Sequence, residues 1–428
     1  MIKRLRAVRR LPAAARRFLL SSQDSILAHG LSFLTSPPSS IESSIGSPVR
    51  CDVLRRLASG LPEDVACLDE TDIDLAVSTA FAHRLAPWVC RRLLQLQPAS
   101  LAEETASAAR EFLDNCAEQT MPALRELNLI VTELRHAGIV AVPFKGPTLS
   151  LLAFGTGMLR QFGDLDLFVA AADFPKTMEV LQAMNYRSPV DDLPEHLLRE
   201  YWRYNGQDML FRDNCHAVEP HSAPGPVSLR MPVDIVGMIA RATPVEIAGM
   251  SFPCLAREDA AVLLVLQAVK DQWRVVSPAL EFAGLVARAE SFDWAAFLSR
   301  CSAAGLRRAA RLTALLAHEL FCAPVAADFL AEARRDKAAR RLADGILESL
   351  GDEPGEDVSV FQLTRFRWQV RERWSDRLGW ALRTLLIARV PHFRSVALPP
   401  ALMPLYPLVR LGHDFVALPL WQFSKRFQ

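Results

Sequence analysis

The sequence predicts an α+β protein in which a small mixed sheet is embedded between mainly α-helical segments. Three observations predict it. Apolar residues recur near helical spacing before residue 138 and after residue 256, with charged residues between them. Between these stretches, residues 139–144 and 165–169 are short apolar runs of strand length, set off by Gly and Pro turns. Half of the 428 residues are hydrophobic and the formal net charge is +1, which argues against general disorder and against an overall nucleic-acid footprint.

A chain of this length is expected to divide into several packed units. The divisions expected are a basic N-terminal arm with a Ser/Pro linker (1–49), a helical lead-in (50–137), a strand-bearing core (138–255), a helical domain (256–350), and a C-terminal helix with a Pro-rich closing segment (351–428). The first twenty residues carry seven basic side chains and no acidic one. The brief apolar stretch after them is interrupted at Ser21 to Asp24, too early for a signal-peptide core. The arm is read first as a solvated terminus, with peripheral contact to membrane lipid or a partner as the alternative.

No apolar run reaches the roughly 18 residues of a membrane span. The eight cysteines are scattered without a Cys-x-x-Cys pair, so neither a structural zinc nor a disulfide framework is expected, and a reducing, cytoplasmic location is.

In the lead-in, Leu54, Leu57 and Leu61, then Leu75 to Val89, then Leu113 to Leu134 mark three or four helices. Asp72 and Asp74 form an Asp-x-Asp pair here, but they follow an acidic cluster and a capping Thr71. They are expected in a first helical turn and to be silent chemically.

The central core differs. After residues 139–144 comes the turn Lys145-Gly146-Pro147, a short helix, a turn around Gly155 and Gly157, and a strand carrying Asp164 and Asp166. Side chains alternate on a strand, so the two carboxylates share one face, roughly 7 Å apart at Cα, with Leu165, Leu167 and Val169 on the other. Two carboxylates on one face repel each other, and burial penalises both. A divalent cation between them removes both costs. Gly146 admits a close ligand, and the helix N-terminus with Lys145 favours a phosphate.

Further along, Asp173-Phe174-Pro175 opens a capped helix, and residues 208–211 and 217–219 suggest two strands around the turn Arg212-Asp213-Asn214. The second of these strands would bring Glu219 beside Asp164 and Asp166, as a metal ligand, a general base or a surface acid paired with an arginine. His221 shares that face if the strand passes Pro220, where it could contact a triphosphate or be structural, as could His216. Arg160, four residues before Asp164, is either a bidentate phosphate clamp or a helix-end cation.

The helical domain is expected as segments 260–269, 278–288, 294–304 and 307–320; Lys270, Asp271 and Trp273 at the end of the first could face a nucleotide from the far wall of a cleft, with Trp273 read as core or interface in preference to a base-stacking platform. Residues 351–357 suggest an acidic loop, 365–389 a single basic helix, and 398–420 extended pieces and short helices.

These residues resemble the bacterial uncharacterised nucleotidyltransferase family of the polymerase-β-like superfamily. The likeness is carried by Phe144-Lys145-Gly146, by Arg160 with Gly163-Asp164-Leu165-Asp166-Leu167-Phe168-Val169, and by Val218-Glu219-Pro220-His221. It extends to the preceding helices, to residues 258–294, and to Leu398-Pro399-Pro400 with Leu405-Tyr406. The resemblance implies the sheet type of that superfamily and transfer of a nucleoside monophosphate from an NTP, ATP foremost, to an unidentified acceptor. It implies Asp164, Asp166 and Glu219 as catalytic ligands of Mg²⁺, with Mn²⁺ an alternative; beside them, Lys145, Gly146, Arg160, Gly163 and His221 are read as the nucleotide-binding residues.

The sequence departs from the pattern in three places. Lys-Gly replaces the superfamily's Gly-Ser, the gap from Gly146 to Asp164 is long, and Ser222 stands where the narrower family tends to have Trp. Two other readings stay open: a non-catalytic nucleotide-binding or scaffold protein, and an Asp-x-Asp glycosyltransferase. The latter ordinarily begins with repeated β-α units, unlike the helical lead-in here.

Overall fold

In a computed structural model, residues 47–351 and 360–417 are described. The basic arm, most of the acidic stretch after Gly351 and the end of the Pro-rich segment lie outside them. Among the described residues no helix is long and apolar enough to cross a membrane.

The lead-in forms five described helices: α1 (Ser47–Ser59), α2 (Pro62–Ala66), α3 (Glu70–Ala82), α4 (Ala86–Leu96) and α5 (Glu103–His136). At the start of α3, Asp69 caps the helix, accepting from the amide of Asp72 at 2.8 Å while Asp72 accepts from the amide of Asp69. The cap therefore lies at Asp69 and not at Thr71, because a carboxylate two residues earlier can close the capping box reciprocally. The first Asp-x-Asp pair is thus helical. α5 buries Ala123, Leu124, Leu127, Ile130, Val131 and Leu134, a stripe at helical spacing, against the sheet.

The sheet is built from β1 (Val142–Pro143), β2 (Asp164–Phe168) and β3 (Ala217–His221), with β2 in the centre. Helix α6 (Gly146–Phe154) joins β1 to β2. Helices α7 (Phe174–Ala183) and α8 (Glu195–Asn205) lie between β2 and β3. β1 runs antiparallel to β2, and β3 runs parallel to it, with Asp166 opposite Glu219 and Phe168 opposite His221. The sheet is therefore mixed, and the α+β class is the one observed.

Alternation sorts the two faces of β2. Leu165, Leu167 and Val169 pack on α5 and on Phe174, Met178 and Leu181 of α7, whereas Phe168 stacks on Phe144 with ring centroids 3.8 Å apart. Residues 208–211 form only isolated antiparallel bridges, Leu210 to Val218 and Phe211 to Arg187, in place of the strand expected there. β3 continues through Pro220, whose carbonyl accepts from the Asp208 amide while the Val169 amide donates to His221.

After the short helix α9 (Ile235–Ala240) comes a hairpin that the sequence did not announce, β4 (Thr243–Ile247) and β5 (Met250–Cys254). Its turn is Ala248-Gly249, both at positive φ (+51° and +75°), so it lacks the Asn-Gly or Asp-Gly pair that marks such turns. β5 lies against β1.

Helices α10 (Arg257–Lys270), α11 (Ser277–Ala287), α12 (Trp294–Ala303), α13 (Arg307–Phe321), α14 (Ala327–Arg335) and α15 (Lys337–Glu348) form the second helical body. α11 packs on α6 so closely that a Cβ at Gly284 would stand 2.4 Å from the carbonyl oxygen of Ala153. This contact fixes α6 from behind. The single basic helix expected at 365–389 is two helices, α16 (Val360–Gln369) and α17 (Trp374–Leu386). The chain breaks where Arg371 turns inward, buried, to donate to the carbonyl of Leu229 at 2.7 Å. Short helices α18 (Val390–Ser395) and α19 (Tyr406–Gly412) follow, separated by a 3-10 turn at Pro400–Leu405, and a π-helical turn at His413–Ala417 closes the described chain.

Candidate functional site

The parallel pairing of β2 and β3 puts Asp166, Glu219 and His221 on one face, and all three are buried. His221 Nε2 lies 3.0 Å from Asp166 Oδ1 and 3.1 Å from Glu219 Oε2. One ligand atom from each of the three falls within 4.8 Å of the other two. The imidazole is flanked edge-on by Phe144 and Phe168, at 5.0 and 5.9 Å between centroids. Burial alone would push the Asp166 carboxyl up. The Lys145 ammonium, 2.7 Å away, and the His221 hydrogen bond hold it well below the usual carboxylate range. Its other oxygen, Oδ2, is buried and has no hydrogen-bond partner among the described residues.

Asp164 stands two residues earlier on the same face, half-buried and with no side-chain hydrogen bond among the described residues. Burial and the neighbouring Asp166 charge push its carboxyl up, and Lys145 pulls it back. Lys145 is the extended residue before α6, and Gly146 begins that helix at φ +55°. Glycine takes that conformation at the least cost. Gly163 lies exposed before Asp164, with open space where a Cβ would be.

Arg160 is placed differently from a free clamp. Its Nε donates to Glu281 of α11 at 2.8 Å, and Glu281 with Asp166 and Asp164 stabilises its charge against burial. Arg160 and Glu281 also line a cleft with Arg84, Trp88, Gln161 and Ser277. His216 sits apart from the carboxylate cluster, bound through its Nδ1 to Glu126 of α5 at 3.1 Å.

Two residues in this constellation escaped the sequence reading. Gln207 donates to Glu219 Oε1 and in turn accepts from Lys270 Nζ at 3.3 Å; it lies in an irregular segment and carried no signal. Glu281 did carry one, as the sole charged side chain in the eleven residues of α11. Trp273 is buried in the core, not presented to the cleft.

With Arg160 matched to Glu281, the carboxylates of Asp164, Asp166 and Glu219 are met directly, among the described residues, by one ammonium, that of Lys145, while the Lys270 ammonium reaches Glu219 only through Gln207. The excess negative charge and the unpartnered Asp166 oxygen fit a divalent cation. Oxygen ligands from three carboxylates beside a helix N-terminus suit a metal-bound phosphate ester.

A family model described as an uncharacterised nucleotidyltransferase matches residues 69–322, more than half of the chain. No curated protein matches the chain significantly.

Proposed function

Since the chain belongs to the uncharacterised nucleotidyltransferase family, whose description implies a nucleotide substrate, we propose that it transfers a nucleoside monophosphate from an NTP, ATP in the first instance, to an acceptor hydroxyl. The observation that carries this reading is the register of β2 and β3. It sets Glu219 directly beside Asp166, with Asp164 on the same face and Lys145 at the mouth of α6.

Asp164, Asp166 and Glu219 would hold Mg²⁺, or Mn²⁺ in its place, and ions there would screen the triphosphate and stabilise the attacking and leaving oxygens. The α6 amides and Lys145 bind phosphate oxygens, Lys145 leaving Asp166 as it does so. Arg160, held by Glu281, sets the field along the triphosphate without reaching for it. The acceptor oxygen bonds to the α-phosphorus in line with the breaking bond, pyrophosphate leaves, and the hydroxyl proton passes to the carboxylate set. Positioning and charge neutralisation supply the rate.

The test is calorimetry with each of the four NTPs and with UDP-sugars, with and without Mg²⁺ or Mn²⁺. Metal-dependent binding of an NTP, lost in Asp166→Asn and kept in Asp72→Asn, is expected. Binding of a UDP-sugar alone would point to glycosyl transfer, and silence with every ligand would leave a scaffold.

A further inference from the structure

We propose that His221 is itself a metal ligand. With Asp166 and Glu219 it holds one divalent ion before any nucleotide arrives, and Asp164 serves a second ion that comes with the nucleotide; only this second half rests on the nucleotidyltransferase reading. Nε2 aims into the gap between the two carboxylates, at 3.0 and 3.1 Å, so a hydrogen there marks the place an ion would take. The three residues are 4%, 7% and 1% exposed in the order Asp166, Glu219, His221. They are fixed on adjacent strands, with two phenylalanine rings against the imidazole. A buried carboxylate oxygen without a partner is costly, and Asp166 Oδ2 is one. The Lys145 ammonium on Asp166 Oδ1 is a stand-in cation that shows the sign of the local field.

The tautomer is free to comply. Among the described residues no partner fixes the proton of His221 Nδ1, so the ring proton can move there and leave the Nε2 lone pair for an ion, the bond to the ion offsetting the cost of an unpaired Nδ1–H. The other cluster of ligating side chains among the described residues, His392, His413 and Asp414, lacks this freedom. There the Arg389 amide donates to His392 Nδ1, which keeps the proton on Nε2, where it is given to Asp414.

Asp164 lies outside the three-residue group, is less buried and has no hydrogen bond to break. An imidazole nitrogen among carboxylates favours Mn²⁺ and later transition ions over Mg²⁺, which an all-oxygen set would not do to the same degree.

The experiment is a titration of the nucleotide-free protein with Mn²⁺ alone, followed by electron paramagnetic resonance, with pulsed spectra read for coupling to ¹⁴N. One ion per chain with a directly coupled nitrogen is expected. His221→Ala should lose the coupling and bind at least ~10-fold more weakly. Asp164→Asn should keep the coupling and fail to take up a second ion when ATP is added. Bound Mn²⁺ with no nitrogen coupling in the unaltered protein would overturn the proposal, a result that needs no variant to fold, as would the absence of nucleotide-free binding. Nitrogen coupling without any NTP binding would leave His221 a ligand and remove the transferase reading. NTP binding without coupling would do the reverse.

Discussion

Gly146 shows how much of the site hangs on a single backbone angle. At φ +55° an added Cβ would meet only the Phe162 ring, 3.7 Å away, so space is not what demands glycine. The demand is conformational: a left-handed residue with a side chain costs roughly 1–2 kcal/mol. Gly146→Ala is therefore expected to lose about 1 kcal/mol of stability in chemical denaturation and to weaken NTP binding more than stability, because the α6 amides shift with the turn. A variant with unaltered NTP affinity would show that the turn does not position the phosphates. Asp164 and Asp166 were legible at this scale because strand alternation is a local rule. The passage of β3 through Pro220 to His221 was not, since it depends on the Asp208 and Val169 partners on either side.

At the scale of elements, β3 is held at its start by α5. Glu126 on α5 accepts from the amide and ring of His216, from the Tyr186 hydroxyl, and pairs with Arg212. Burial pushes the Glu126 carboxyl up, but the His216 and Tyr186 hydrogen bonds win and hold it at about 2, against an ordinary 4.5. A depressed carboxyl stabilises the fold above its unfolded value and ceases to as pH falls through its folded one. Stability from Glu126 should thus be full above about 4.5 and lost toward about 2. Glu126→Gln should be less stable near neutrality and should flatten this acid limb in denaturation midpoints measured across that window; an unchanged limb would show that other carboxylates govern it. Amphipathic helices such as α5 were legible from their stripes. The β4–β5 hairpin was not, because an Ala-Gly turn carries no distinctive signal and its pairing is recognised only once β5 lies against β1.

Across the whole molecule, what the sequence concealed were pairings between distant residues. Arg160 and Glu281 are 121 positions apart, and their ion pair ties the loop before β2 to the second helical body through α11. A lone acid in an apolar helix announced that some partner existed, but nothing local named it. The pair is largely buried, with side chains 19% and 7% exposed, so its halves are unequal to its whole. Removing one partner of a buried pair strands the other charge and costs ~3–5 kcal/mol, whereas replacing both by apolar residues of similar volume is often neutral or stabilising. Glu281→Leu alone should therefore destabilise strongly, and Arg160→Met with Glu281→Leu should recover most of the loss in urea denaturation. The recovered protein then separates architecture from chemistry. If Arg160 acts on the triphosphate through its field, the double variant folds as well as the parent yet binds NTP more weakly, whereas full NTP affinity in a restored fold would reduce Arg160 to a tether between the two bodies.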